Sequence, residues 1–296
     1  MKKPVFSGCA TALATPFDSS GEVDYTALAR LIDFQTENGA DALVLCATTG
    51  ECATLSDLEF EQIVAFGVRY ASGKIPVLAG TGRNDTLKSL HLCHIAESCG
   101  ADGLLMVNPY YNKSTQKGIT EHYTYIADRV NTPIILYNVP SRTGMSIAPD
   151  TYKTLSRHPM IYGTKEASGD ISLISHAMAL CDEDFAFYSG NDDQTAAICA
   201  LGGKGVISTT ANIAPKAMHK ICKAYFEGDF ERGKRLQLDI LPLIDALFCE
   251  TNPIPLKSAL KMCGLCEDFV RLPLTSPSDI TVQKLKNVLA ELNILK

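Results

Sequence analysis

Short apolar runs alternate with stretches of helical periodicity along most of this chain. Runs of strand type fall at 5–13, 42–46, 77–79, 103–107, 134–137, 161–165, 185–189 and 205–208. They are near-continuously apolar, the pattern of strands covered on both faces. Between them, 25–38, 57–71, 85–99, 117–130, 149–156, 171–181, 193–200 and 215–227 carry helical patterns, each long enough to cross over a parallel sheet. The phrases ENGADALVL (37–45) and ESCGADGLLMV (97–107) both end a helix in glycine and enter a strand after Ala-Asp. Gly39 and Gly100 are therefore expected helix C-caps. A βα unit used eight times predicts an α/β fold, a closed (β/α)8 TIM barrel over 1–228; a doubly wound open sheet is the alternative. After 228 the strands cease. Helical patterns at 229–247, 253–262 and 279–292 predict a C-terminal helical appendage over 229–296.

In a barrel of this kind the site lies at the C-terminal ends of the strands. There the chain places Thr48-Thr49-Gly50-Glu51 after the second run, Gly80-Thr81-Gly82 after the third and Asn108-Pro109-Tyr110-Tyr111-Asn112 after the fourth. YNVPSRTG (137–144) follows the fifth, SGND (189–192) closes the seventh, and Ser208-Thr209-Thr210-Ala211 the eighth. The sixth run stops at Lys165, inside IYGTKEASGD (161–170). A buried lysine resists its charge, and holding one neutral at pH 7 costs about 4 kcal/mol. The main use of a neutral amine is attack on a carbonyl to form a Schiff base. Taken alone, Lys165 reads more simply as a strand-end lysine reaching solvent; the polar residues around it favour the chemical reading. Arg142 sits in the Pro/Ser/Gly turn after the fifth strand, where its planar fork suits a carboxylate ligand or a salt bridge that shapes the loop. Arg69, Arg83, Arg129 and Arg157 read as solvated charges.

Composition narrows the classes. Hydrophobic residues make up 46% and charged residues 20%, ample for a core. The net charge of −6, from 27 Lys and Arg against 33 Asp and Glu, argues against a nucleic-acid partner. No membrane span or secretory signal is read, which predicts a cytoplasmic protein whose eleven scattered cysteines stay reduced. The CxxC at Cys263 and Cys266 has no second pair, and His91 and His94 lack a carboxylate at ligand spacing, so no metal site is expected. GTGRND (80–85) lacks the third glycine of a dinucleotide fingerprint, and no nucleotide is expected.

CATTGE (46–51), AGTG (79–82), PYYN (109–112), YNVPSRTG (137–144), TKEASGD (164–170), SGND (189–192) and GGKGVIS (202–208) stand in one order from end to end. Together they resemble the dihydrodipicolinate synthase family, within the pyruvate-dependent class I aldolase and N-acetylneuraminate lyase superfamily. One departure is Cys46-Ala47, where many members carry a glycine.

The resemblance implies that Lys165 forms an imine with pyruvate and that Tyr137 is its acid/base partner. It implies a relay through Thr48 and through Tyr111 of a neighbouring subunit; hydroxyls both donate and accept, so such a chain can pass a proton. The amides of Thr48 and Thr49 would hold the pyruvate carboxylate, Arg142 the carboxylate of aspartate semialdehyde, and Gly190 and Ile207 would line the pyruvate site. The implied reaction is the first committed step of diaminopimelate and lysine biosynthesis, without metal or organic cofactor. The implied assembly is a homotetramer, a dimer of dimers with Tyr111 supplied across the tight interface. In lysine-regulated members a histidine pair and a glutamate bind the effector; here Asp57, Phe60 and Lys88 match those positions, while Asn84 and Tyr110 are retained. A cation in place of the glutamate repels an ammonium, so weak or absent lysine inhibition is expected. A sister aldolase such as N-acetylneuraminate lyase is the nearest alternative, although Arg142 and Tyr111 suit a short acidic aldehyde better than a sugar. A non-catalytic oxo-acid sensor would be marked by loss of Lys165, Tyr137 or a relay hydroxyl, and all are present.

Overall fold

The computed structural model describes residues 2–295. Eight parallel strands follow one another around a closed barrel: β1 (Gly8–Ala12), β2 (Ala42–Leu45), β3 (Val77–Gly80), β4 (Gly103–Val107), β5 (Ile134–Asn138), β6 (Ile161–Glu166), β7 (Ala186–Ser189) and β8 (Gly205–Ser208). The ladder from β8 back to β1, Gly8 opposite Gly205 and Ala10 opposite Ile207, leaves no edge strand and rules out the open sheet.

Alternation along each strand divides the core in two. On β2, Ala42 and Val44 join an interior cluster with Ala10, Leu78, Leu105, Ile135 and Ile207, while Leu43 and Leu45 face the surrounding helices. Each fully buried Leu or Ile contributes about 1.5–3 kcal/mol. The floor of the barrel is closed by Phe6, whose ring stacks on Tyr188 with centroids 4.3 Å apart. The Tyr188 hydroxyl donates to the Phe6 carbonyl at 2.7 Å. This is why β1 is shorter than the apolar run at 5–13: its first apolar residues plug the barrel instead of extending the ladder.

Gly39 and Gly100 both adopt φ of +82°, just past helices Tyr25–Glu37 and Thr86–Ser98, as their C-cap reading requires. Two local expectations are corrected. The turn at 140–143 is a helical turn, Pro140–Thr143, opened by a proline that has no N–H to waste and closed by Gly144 at φ +70°. The helix expected at 193–200 begins as a 3-10 turn, Asp192–Gln194, before Thr195–Ala200.

After helix Pro215–Phe226, the helices Phe230–Leu247, Ile254–Met262 and Asp279–Glu291 pack on one another and on the helices that follow β7 and β8. Their connections reach the C-terminal mouth of the barrel, where Asn252, Pro253, Pro273 and Leu274 line the same cavity as Thr48 and Arg142. Among the described residues no helix is long and apolar enough to cross a membrane.

Candidate active site

The register of β5 and β6 sets Tyr137 opposite Lys165. Both side chains turn into the mouth of the barrel, with the Lys165 Nζ 4.5 Å from the centre of the Tyr137 ring. Lys165 is 5% exposed. Burial lowers its pKa from 10.5 to about 8; the Asp192 carboxylate opposes the drop and the Arg142 charge adds to it. The amine is therefore far more often neutral than that of a strand-end lysine in solvent: at pH 7 about one lysine in ten is deprotonated. Tyr137 is also buried, which pushes its phenol up, while the Arg142 charge and the neighbouring Thr48 side chain hold it back. The phenol keeps its proton at neutral pH and can donate it.

The turn after β2 supplies the next layer. Thr48 is half-buried and Thr49 buried. The Thr49 hydroxyl meets that of Thr209 at 3.2 Å and accepts from Asn252 Nδ2 at 3.0 Å. The Asn252 carbonyl accepts in turn from Arg142 Nη2 at 3.2 Å. Arg142 is exposed at the mouth and, among the described residues, binds no carboxylate, so the loop-shaping salt bridge drops out as its role. Beneath it lies a cavity of about 280 Å³ lined by Thr48, Cys52, Tyr110, Arg142, Thr143 and Asn252, among others. That cavity stops short of Lys165. A smaller one of about 20 Å³ shares Thr48, Cys52, Gly82 and Val107 with it and reaches Tyr137.

Not every residue named from the sequence gathers here. Tyr111 is 92% exposed and holds a left-handed φ of +67°, away from Lys165, while its neighbour Tyr110 lines the cavity. Ile207 is fully buried in the interior cluster and, like Gly190, is not among the residues lining either cavity. A Cβ on Gly190 would lie 2.6 Å from that of Ala167, so this glycine lets the turn after β7 close on β6. Arg83, read as solvated, is half-buried and donates to the carbonyls of Gly80, Gly82 and Cys52, bracing two loops of the site. Neither Asn252 nor Asp192 stands out individually in the sequence. Asn252 lies in the C-terminal segment, with nothing in its neighbourhood to connect it to a barrel mouth. Asp192 closes the SGND phrase, the one signal that could have found it.

The family profile described as "Dihydrodipicolinate synthetase family" matches residues 5–292. The chain belongs to this family. A 4-hydroxy-tetrahydrodipicolinate synthase of Thermoanaerobacter sp. is 46% identical over 294 residues, covering 99% of each chain. The crystal structure of dihydrodipicolinate synthase from Thermotoga maritima superposes with a TM-score of 0.97 at 44% identity, covering 98% of this chain and 100% of that one. A structure described as the first monomeric dihydrodipicolinate synthase variant gives the same TM-score and identity, with 98% of both chains covered.

In this member of the dihydrodipicolinate synthetase family the positions matched to the regulatory residues are otherwise engaged. Lys88 is not a bare cation: its ammonium meets Asp57 at 2.6 Å, with His91 3.4 Å from the same carboxylate oxygen. The Lys88 hydrogen bond holds the Asp57 carboxyl below its usual range. Phe60 is buried in the core at 1% exposure. His94 faces Glu97, and among the described residues no group of three or more His, Cys, Asp or Glu is placed to hold a metal ion.

Proposed function

We propose that the chain condenses pyruvate with L-aspartate 4-semialdehyde to 4-hydroxy-tetrahydrodipicolinate, through an imine on Lys165, as the first committed step of diaminopimelate and lysine biosynthesis. The observation that carries the assignment to Lys165 is its buried amine, 4.5 Å from the Tyr137 ring at the barrel mouth. Arg142, free of any carboxylate of the described chain, is the seat for the acidic aldehyde.

The neutral Lys165 attacks the ketone carbon of pyruvate, and the carbinolamine loses water to give a protonated imine. That cation draws electrons from the methyl carbon, which gives up a proton and leaves an enamine. The enamine carbon attacks the aldehyde carbon of the second substrate, forming the new C–C bond and a hydroxyl. The substrate's own amine then closes on the imine carbon and displaces Lys165. Tyr137 and Thr48 carry the protons, and the backbone amides of Thr48 and Thr49 hold the pyruvate carboxylate. Ile207, in the interior cluster with Tyr137, and Gly190, which lets the turn after β7 close on β6, back the pyruvate without lining either cavity. The lysine itself supplies the carbonyl chemistry, without a metal or organic cofactor.

Tyr111 completes the relay from a second copy of the chain. A left-handed, 92% exposed aromatic is costly on an isolated surface, by about 1–3 kcal/mol for the backbone alone. A homotetramer built as a dimer of dimers gives it a place. Residues 1–228 carry the chemistry and 229–296 roof the cleft through Asn252 and Leu274. We place the protein in the cytoplasm, where eleven free cysteines remain reduced.

The reading is tested by borohydride reduction in the presence of pyruvate, followed by peptide mass mapping. A pyruvate-derived adduct on Lys165 is expected; folded protein that binds pyruvate without an adduct would be a sensor. Turnover on aspartate semialdehyde above that on N-acetylneuraminate separates the two aldolase activities.

The rate of imine formation is expected to rise with pH. Only the neutral amine attacks, and with a pKa of about 8 its share climbs from about a tenth at pH 7 to about nine-tenths at pH 9. Stopped-flow measurement across this range should give a single limb centred near pH 8; a midpoint near 10 would mean that the lysine is solvated. Added L-lysine is expected to leave the steady-state rate unchanged, because Lys88 and Asp57, at positions the resemblance matches to effector ligands, are paired with each other, and Phe60, at the third, is buried in the core. Saturable inhibition by lysine contradicts this.

A further inference from the structure

The side chains that point the other way at the strand ends form a structure of their own. Asn108, Asn138 and Glu166 follow directly on Val107, Tyr137 and Lys165, and all are fully buried between barrel and helices. Glu166 Oε1 accepts from Asn138 Nδ2 and from the Ser168 amide, both at 2.9 Å. Its Oε2 accepts from the Tyr152 hydroxyl at 2.5 Å and from the same Asn138 nitrogen at 3.2 Å. Asn138 Oδ1 accepts from Asn108 Nδ2 at 3.0 Å and from the Ile147 amide at 3.2 Å. Asn108 Oδ1 accepts from the Tyr123 hydroxyl at 2.8 Å. A continuous chain of bonds thus ties the ends of β4, β5 and β6 together behind the site.

Among the described residues no cation pairs with Glu166. Burial favours its protonated form, and the Tyr152, Ser168 and Asn138 donors oppose that. An ionised carboxylate is an acceptor at every lone pair, which suits a ring of donors. An uncompensated buried charge is expensive, and mere packing would be served as well by an apolar residue.

We propose that Glu166 is a positioning residue of the reaction, its carboxylate locking the β5 and β6 ends so that Lys165 and Tyr137 hold their mutual placement. The proposal rests on Lys165 being the imine lysine. It asks for charge at this position and not only for shape. Glu166→Gln keeps the shape but turns an N–H toward partners that are themselves donors, whereas Glu166→Asp keeps the charge on a shorter arm.

The test is turnover per borohydride-trappable site, which corrects for any fraction of misfolded protein. For Glu166→Gln a fall of about a hundredfold in kcat is expected, the scale of a 1 Å misplacement, with pyruvate KM within about threefold of wild type. Glu166→Asp should retain more activity than Glu166→Gln. Equal turnover per trapped site in Glu166→Gln and wild type overturns the proposal, as does greater activity in Glu166→Gln than in Glu166→Asp, which would mark a packing role. If Glu166→Gln does not fold, Tyr152→Phe carries the test by removing one donor: a several-fold lower turnover per trapped site supports the proposal and an unchanged one overturns it. The wild type is read first. Failure to trap pyruvate on Lys165 there overturns the imine reading itself, whereas normal trapping with unaffected variants overturns this proposal alone.

Discussion

Lys165→Arg is expected to leave no reducible pyruvate adduct and to lower turnover by more than about a thousandfold, the scale seen when a covalent nucleophile is removed. Arginine retains the cation and much of the length, but its guanidinium stays protonated at any working pH and offers no free amine. The variant therefore separates nucleophilic chemistry from the presence of a positive charge at the barrel mouth. Residual turnover within tenfold of wild type would place the chemistry elsewhere. A companion, Lys165→Met, reports the cost of placing a lysine here. The folded pKa of about 8 lies below the usual 10.5, so the charged form is disfavoured in the folded state by about 3 kcal/mol. That penalty is present in full below pH 8 and disappears as pH rises from about 8 to about 10.5, where both states become neutral. Methionine of similar length should therefore fold more stably than wild type at pH 7, with the gap closing toward pH 10, while showing no activity. A dead enzyme that is more stable than the live one marks a residue kept for function.

The barrel was legible because strands covered on both faces advertise themselves as apolar runs, and because the glycines at 39 and 100 mark where helices stop. Lys165, Tyr137 and Thr48 were legible for the converse reason: polar residues ending apolar strands need an explanation, and the barrel places them on one face. Other parts are invisible to local pattern. The helical turn Pro140–Thr143 is too short for periodicity, and its bounding proline and glycine look like those of a loop. Arg83 resembles any loop arginine until three carbonyls from two loops converge on it. Glu166 stands just past the apolar run, and its partners Asn138 and Tyr152 come from other elements. Lys257 stands in a stretch of helical pattern, where a lysine is unremarked. Arg83, Glu166 and Lys257 each have a partner distant along the chain, in Cys52, Asn138 and Glu51, and one sequence holds no record of such pairings.

Replacing that lysine carries the other large expectation. Lys257 Nζ lies 2.5 Å from Glu51 Oε1, with side-chain exposures of 0% and 1%. The same nitrogen donates to the Phe269 carbonyl at 2.8 Å and sits 4.1 Å from the centre of the Phe17 ring. Glu51 holds φ of +54° at the end of CATTGE, and its Oε2 accepts from the Arg271 amide at 3.0 Å. The pair ties the turn carrying Thr48 and Thr49 to helix Ile254–Met262, joining barrel to appendage. Burial lowers the pKa of Lys257 and the Glu51 charge raises it, so the lysine depends on its partner to remain a cation. Lys257→Met, similar in volume, leaves the carboxylate buried without its cation and is expected to cost about 3–5 kcal/mol in urea unfolding. Adding Glu51→Gln should recover more than half of that loss, because an amide needs no counter-charge. A purely packing role for Lys257 predicts instead a small first loss and no recovery. Pyruvate KM should rise in the single variant and fall back in the double, since the turn bearing Thr48 and Thr49 relaxes when Glu51 loses its anchor. A stability loss without any change in KM would confine the pair to the fold and detach it from the site.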